Sequence, residues 1–169
     1  SGTLNAAGGT GYQRGAAGTI FTRANASPRG LLLVDNGGTI GAGTVLRSDF
    51  WPAGEVFDLT ATGAALVCPQ GVSDIVHLRV NGGAVLSHPS QEQTLNLSVI
   101  GDAVIETNGQ INVTGLGYLA KTGPGAGWAA YNGNAGGGGY GGAGGGGQVY
   151  GGFQGGGGTY GSETLPIDF

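Results

Sequence analysis

Leu59-Thr-Ala-Thr-Gly63-Ala-Ala65-Leu-Val67, Leu78-Arg-Val-Asn-Gly82-Gly-Ala84-Val-Leu86 and Leu97-Ser-Val-Ile-Gly101-Asp-Ala103-Val-Ile105 write one pattern three times. The template is Leu-x-x-x-Gly-x-Ala followed by two apolar residues, and each anchor returns after 19 residues. A fixed period near 20 with β-type composition is the mark of a coiled β-solenoid in which each period is one rung. Equivalent residues of successive rungs would then stack at the strand spacing of about 4.8 Å. Leu59, Leu78 and Leu97 would form one interior ladder, and Ala65, Ala84 and Ala103 another. Gly63, Gly82 and Gly101 would stack at a corner, where positive φ carries no steric cost. An antiparallel sandwich with regular hairpins is the rival, but it does not require one residue type at one phase three times.

The expected fold is therefore all-β, a parallel β-helix with about 19 residues per rung. It is followed by a glycine-rich segment packed on the coil or on a neighbour. Residues 1–121 carry the rungs, 122–162 form the glycine and aromatic segment, and 163–169 form a terminal strand or a connector to a next unit. Leu33-Val-Asp-Asn-Gly37-Gly-Thr39-Ile40 is a degenerate copy of the template, 26 residues before Leu59. The added length fits a loop, Arg47-Ser-Asp-Phe-Trp-Pro-Ala-Gly54, bulging from a rung corner, where solenoids acquire functional faces. Asn112-Val-Thr-Gly115 begins a further copy. Helix signals are almost absent, because no stretch of about 12 residues combines 3.6-residue periodicity with freedom from Gly and Pro.

Glycine supplies 41 of 169 residues and is concentrated beyond residue 122. Aromatics punctuate that part of the chain at intervals near ten: Tyr118, Trp128, Tyr140, Tyr150, Tyr160 and Phe169. A flexible linker would carry Ser, Thr or charge instead. Backbones without side chains approach closely, so the expectation is an ordered segment of polyproline-II-like passes.

Composition removes several functions. A net charge of −4 with six basic residues is a poor match to nucleic acid, where Lys and Arg must neutralise phosphates. No apolar run reaches the length of a membrane span. Gly9-Thr-Gly11-Tyr-Gln-Arg-Gly15 is one residue too long for a dinucleotide fingerprint and lacks the strand–helix context. Residues 122–162 contain no Asp, which rules out a calcium β-roll there and leaves only isolated sites at Asp35, Asp49 or Asp102. His77 and His88 stand apart from any metal-spaced cluster, and Cys68 reads as a small buried apolar residue. Asp58, Asp74, Asp102 and Glu106 fall at different phases of the period, so no carboxylate pair is set up for polysaccharide chemistry. No catalytic, cofactor-binding or metal residue is expected, and no cofactor. Asn25, Asn96 and Asn112 head sequons, although Asn96 and Asn112 also suit a stacked asparagine ladder.

Several phrases carry a resemblance: Gly15-Ala-Ala-Gly-Thr-Ile-Phe21, Gly30-Leu-Leu-Leu-Val-Asp-Asn-Gly-Gly38, Gly83-Ala-Val-Leu-Ser-His-Pro89, Asn112-Val-Thr-Gly-Leu-Gly-Tyr118, Gly123-Pro-Gly-Ala-Gly127 and Gly158-Thr-Tyr-Gly-Ser-Glu-Thr-Leu-Pro166. Together they resemble the very large glycine-rich β-helical repeat proteins of cell surfaces, which are adhesin-like. The resemblance covers most of the chain and transfers no catalytic residue. It implies a secreted or surface protein with structural or adhesive use.

The chain begins at Ser1 without a signal peptide and both ends fall in strand-like sequence, so a mature or excised segment of something longer is expected. Neither end shows the polar or helical cap that stops coils from polymerising. The expected function is an extracellular structural protein whose protomers stack into a fibre or surface stalk, as a homo-oligomer or homopolymer. The alternative is an adhesin-type module for a glycan or another cell-surface partner. Thr60 and Thr62 are not repeated as Thr-x-Thr in the next two copies, which weakens an ice-binding face. Assembly or surface roles fall to Phe50, Trp51, Trp128, Tyr140, Tyr150 and Tyr160.

Overall fold

The computed structural model describes residues 2–89, 95–116, 122–128, 136–139, 142–149 and 152–161. It is essentially all-β, with no α-helix among these residues. The chain divides into two compact units, Ser1–Leu116 and Gly117–Phe169.

The first unit is a β-solenoid of about three turns. One face of the coil carries, in parallel register, β2 (Gly30–Asp35), β4 (Phe57–Thr62), the second half of β5 (Leu66–Val80) and β8 (Ala103–Ile105). The other carries β3 (Gly43–Arg47), the first half of β5, β6 (Val85–Leu86) and β9 (Gln110–Ile111). On the third side β7 (Asn96–Val99) lies along the middle of β5.

Period-2 alternation sends Phe57, Leu59 and Ala61 of β4 inward and leaves Asp58, Thr60 and Thr62 half-buried outside. Inside, Leu32 stacks on Leu59 and Leu59 on Leu78, while Val34, Ala61 and Val80 form a second column and Val67 meets Leu86. All of these are buried. Each fully buried Leu, Val or Phe is worth about 1.5–3 kcal/mol in transfer free energy, so these columns hold the coil.

The two faces are joined by a stack of tight turns closed by Thr39 N to Asn36 O, Ala65 N to Thr62 O and Ala84 N to Asn81 O, at 3.0, 3.1 and 2.9 Å. Both central residues of each turn have positive φ: Gly37 and Gly38, Gly63 and Ala64, Gly82 and Gly83. That is the type I′ conformation, in which glycine is the residue without a penalty. Adjacent turns bond to each other, Gly38 N to Gly63 O and Ala64 N to Gly82 O, both at 2.9 Å.

The 19-residue period holds for one step of the coil. Leu59 pairs with Leu78 and Leu66 with Val85, both 19 apart, and Ala84 follows Ala65 at the corner. The steps on either side are longer. Gly30 pairs with Phe57 and Gly43 with Leu66, while Leu78 pairs with Ala103 and Val85 with Gln110. The expected third member of each ladder is therefore displaced. Leu97 lies over Val72, Ala103 over Leu78, and Gly101 is not a positive-φ corner. A Cβ on Gly101 would stand 2.8 Å from the His77 ring and 2.9 Å from the Val76 carbonyl, so glycine is needed there for space. The true fourth corner is Glu106 to Gly109, with Asn108 at positive φ. The cause is the connection after Leu86, which lengthens that rung so that the third copy of the template falls on the strand–turn–strand at another corner of the coil.

The expectation of uncapped ends changes at the first rung only, where the coil does not stop on a bare parallel strand. At the first rung, β1 (Thr19–Thr22) pairs antiparallel with β2, Thr19 opposite Val34 through Thr22 opposite Leu31. The preceding residues cover the rest of that rung. Ala42 N donates to Arg14 O, Gly8 N to the buried Asn36 Oδ1 at 2.7 Å, and Thr44 Oγ1 to Ala17 O at 2.7 Å.

The second unit contains the hairpin β10 (Gly147–Val149) and β11 (Gly152–Gln154). Around it run glycine passes joined by backbone hydrogen bonds outside any ladder: Gly139 N to Gly125 O, Gly137 N to Gly145 O, Gly157 N to Gly137 O and Gly144 N to Gly157 O, at 2.8–2.9 Å. Gly127, Gly136, Gly144, Gly156 and Gly157 lack positive φ, yet a Cβ on any of them would overlap a neighbouring backbone.

Replacing Gly82 by Val should cost about 2 kcal/mol or more, since its φ is +55° and a Cβ would stand 2.6 Å from Thr62 Oγ1. Gly38→Asn, at φ +79° with open space around it, should cost less than about 1 kcal/mol because Asn tolerates the left-handed region. Urea denaturation midpoints of the two variants check this, and equal losses would contradict it.

Candidate functional site

The loop foreseen at 47–54 leaves the coil between β3 and β4. Nine residues lie between Arg47 and Phe57, against four between their partners Gln70 and Ile75 on the next rung. The excess forms a single 3-10 turn, Ser48–Phe50, and a turn closed by Glu55 N to Pro52 O at 3.1 Å. Trp51 folds back on the core: its ring meets buried Phe57 at 4.7 Å and 75°, the edge-to-face arrangement aromatic pairs prefer. Its Nε1 donates to Asp74 Oδ2 at 3.5 Å. Phe50 is 59% exposed.

Between this loop and the first rung opens a cleft of about 270 Å³. Phe21, Phe50 and Trp51 form its walls and Leu32 and Leu46 its floor, while Glu55 is the one charged residue lining it. Glu55 accepts two hydrogen bonds from Arg23 Nη1, at 2.7 and 2.8 Å. Phe21 comes from β1, and the tip of its ring reaches Gly30 of β2, where a Cβ would overlap it. The Phe50-Trp51 pair stood out in the sequence. Phe21 and Gly30 did not, because only the antiparallel pairing of β1 with β2 brings the Phe21 ring over Gly30 and beside the loop, and Glu55 gave no signal of its own within it.

The acidic candidates stay apart. Asp58 Oδ2 accepts from Arg29 Nε at 3.0 Å, Glu106 pairs with Arg79, and Asp102 lies beside His77, whose Nδ1 accepts from Asp102 N at 3.2 Å. Asp35 Oδ1 accepts from Gly37 N, and Asp49 pairs with Arg47. Among the described residues no three His, Cys, Asp or Glu gather to hold a metal ion. His88 is buried with Nδ1 2.9 Å from Pro89 O. The asparagine ladder does not form, because Asn96 pairs with Gln70 on β5 while Asn112 Oδ1 accepts from Thr114 N in a local turn. Cys68 is buried on β5, and burial pushes its thiol above the ordinary cysteine range.

The last rung at the far end of the coil is formed by β8 and β9. Among the described residues no strand pairs with the outer side of β8 or β9. Val104, Ile105 and Ile111 there are 47%, 41% and 52% exposed. In the second unit Trp128 is exposed with its N–H bonded to Gly155 O, and the Tyr160 ring lies where a Cβ of Gly125 would be. Tyr140 and Tyr150 lie outside the described residues.

No helix of the described residues is long and apolar enough to cross a membrane. No protein-family model, curated protein or solved structure matches the chain.

Trp51→Ala should cost about 2 kcal/mol through loss of the Phe57 contact, whereas Phe50→Ala should change stability by less than about 0.5 kcal/mol. Thermal or urea unfolding separates them. Iodoacetamide at pH 8 should alkylate Cys68 at least about tenfold more slowly in the native chain than in denaturant, since thiolate and access are both scarce. Equal rates would contradict its burial.

Proposed function

We propose that the protein is an extracellular structural protein, a β-solenoid protomer that adds to further copies into a fibre or surface stalk. The observation that supports this most is the last rung, a parallel edge that no described strand pairs with and whose apolar side chains are half open to water. An edge of this kind is a template for another chain, and natural proteins that remain single cover or charge it. Here β2 is paired with the antiparallel β1, which among the described residues has no strand on its own outer side, and no described strand covers β8 or β9. Assembly then starts at the last rung. The receiving surface is the free side of β1 on the next copy, whose antiparallel sense lets a translated protomer pair with it. Interior positions taken up by packing, and acids each engaged with a different partner, support a scaffold rather than an enzyme.

A second reading, an adhesin-type binding module, is favoured by the aromatic cleft at Phe50 and Trp51.

Sedimentation velocity and negative-stain imaging across a concentration series test assembly. Fibres or length-graded oligomers are expected for the native chain, and Val104→Lys with Ile111→Lys, both on exposed edge positions, should remove them. A native chain that stays monomeric at high concentration overturns the proposal, and a population that stops at dimers replaces the fibre with a closed pairing of two last rungs.

A further inference from the structure

Three aromatic rings and one carboxylate line a single cavity at the first rung, and the chemistry of that set is selective. Phe21 and Phe50 stand at its mouth, Trp51 lies along its side, and Leu32 and Leu46 close the bottom. The pocket is built rather than incidental. Gly30, with ordinary φ, leaves room for the tip of the Phe21 ring, and Trp51 is held by Phe57 and Asp74. The volume, about 270 Å³, exceeds a cavity of about 150 Å³ that accepts benzene.

The lining decides between occupants. A saccharide would set most of its hydroxyls against Leu32, Leu46 and the aromatic rings, with only Thr19 and Glu55 in the lining to bond them. An anion would face Glu55, the one charged group in the wall, on a chain of net charge −4. An apolar body carrying a positive charge meets neither penalty. Aromatic faces attract a cation by their quadrupole, most strongly where the pair is shielded from water. Glu55 adds a full opposite charge, shared at present with Arg23 at 2.7 Å.

We propose that this cleft is a binding site for a small organic cation of the quaternary-ammonium class, its apolar body on Leu32 and Leu46 and its charged head among Phe21, Phe50 and Glu55. This gives a ligand class to the binding-module reading and is independent of assembly through the last rung. Arg23 is then a built-in competitor. Its guanidinium holds Glu55 in the unliganded protein, and its release accompanies binding.

Benzyltrimethylammonium titrated into the full chain, followed by Trp51 emission and by calorimetry, tests the site. Saturable one-site binding is expected. Neutral neopentylbenzene, of the same shape, should bind about tenfold more weakly. Glu55→Gln and Phe50→Ala should each weaken the cation severalfold, and Arg23→Gln should tighten it. Equal affinity for cation and neutral isostere, no saturable binding, or an Arg23→Gln variant that binds no tighter overturns the proposal. The Arg23→Gln arm stands even if Glu55→Gln fails to fold. Cation binding by the edge variant Val104→Lys separates the outcome from that of assembly.

Discussion

The coil depends on one repeated constraint: a type I′ turn must sit on a type I′ turn. Asn36–Thr39, Thr62–Ala65 and Asn81–Ala84 each reverse the chain with two consecutive residues at positive φ, and the first two each donate a backbone hydrogen bond to the turn that follows. Five of those six residues are glycine, and the sixth, Ala64, accepts the strain at φ +58°. Once the turns are in register, the strands leaving them are in register too. The interior columns of Leu32, Leu59 and Leu78 and of Val34, Ala61 and Val80 share that register, so the turn stack and the apolar packing support one arrangement. Loops of different length can then be carried on the other sides of the coil without disturbing the core. The lengthened connections before Phe57 and after Leu86 are of this kind.

That separation explains what was legible in the sequence. A coil could be read from strand–Gly–strand units because the turn chemistry is local and glycine announces it. The rung length could not be read, because it is set by the connections, and a connection has no fixed composition. Leu97-Ser-Val-Ile-Gly101-Asp-Ala103 satisfied the template for a different physical reason: Gly101 makes room for the His77 ring instead of supplying positive φ. One residue type thus serves two needs that look identical in one dimension. The Phe50-Trp51 loop was legible as an insertion, since its excess length and aromatic content have no place in a rung. Its cleft was not, because Phe21 and Gly30 reach it through an antiparallel pairing across a turn that no periodicity predicts.

The two units use glycine in opposite ways. In the coil, at the corners, it supplies a conformation. In the second unit Gly127, Gly136, Gly144, Gly156 and Gly157 supply absence: their backbones approach so closely that any side chain would overlap a neighbouring carbonyl. Interpass hydrogen bonds such as Gly137 N to Gly145 O replace the apolar burial that such a segment lacks. A glycine count alone would place both behaviours with disordered linkers.

The antiparallel β1 has a mechanical consequence. Thr19, the residue of β1 nearest the start of the chain, pairs with Val34, at the far end of β2, and Thr22 pairs with Leu31 near the connecting turn. Once the bonds of Gly8, Arg14 and Ala17 to the coil have parted, tension applied through the residues before β1 opens the pairing one hydrogen bond at a time from Thr19 inward, as a zipper. Parallel neighbours deeper in the coil, such as β4 on β5, are loaded along several bonds at once, in shear. Under pull the first rung yields before the body of the coil does, so the strand that covers one end of the molecule is also its mechanical fuse.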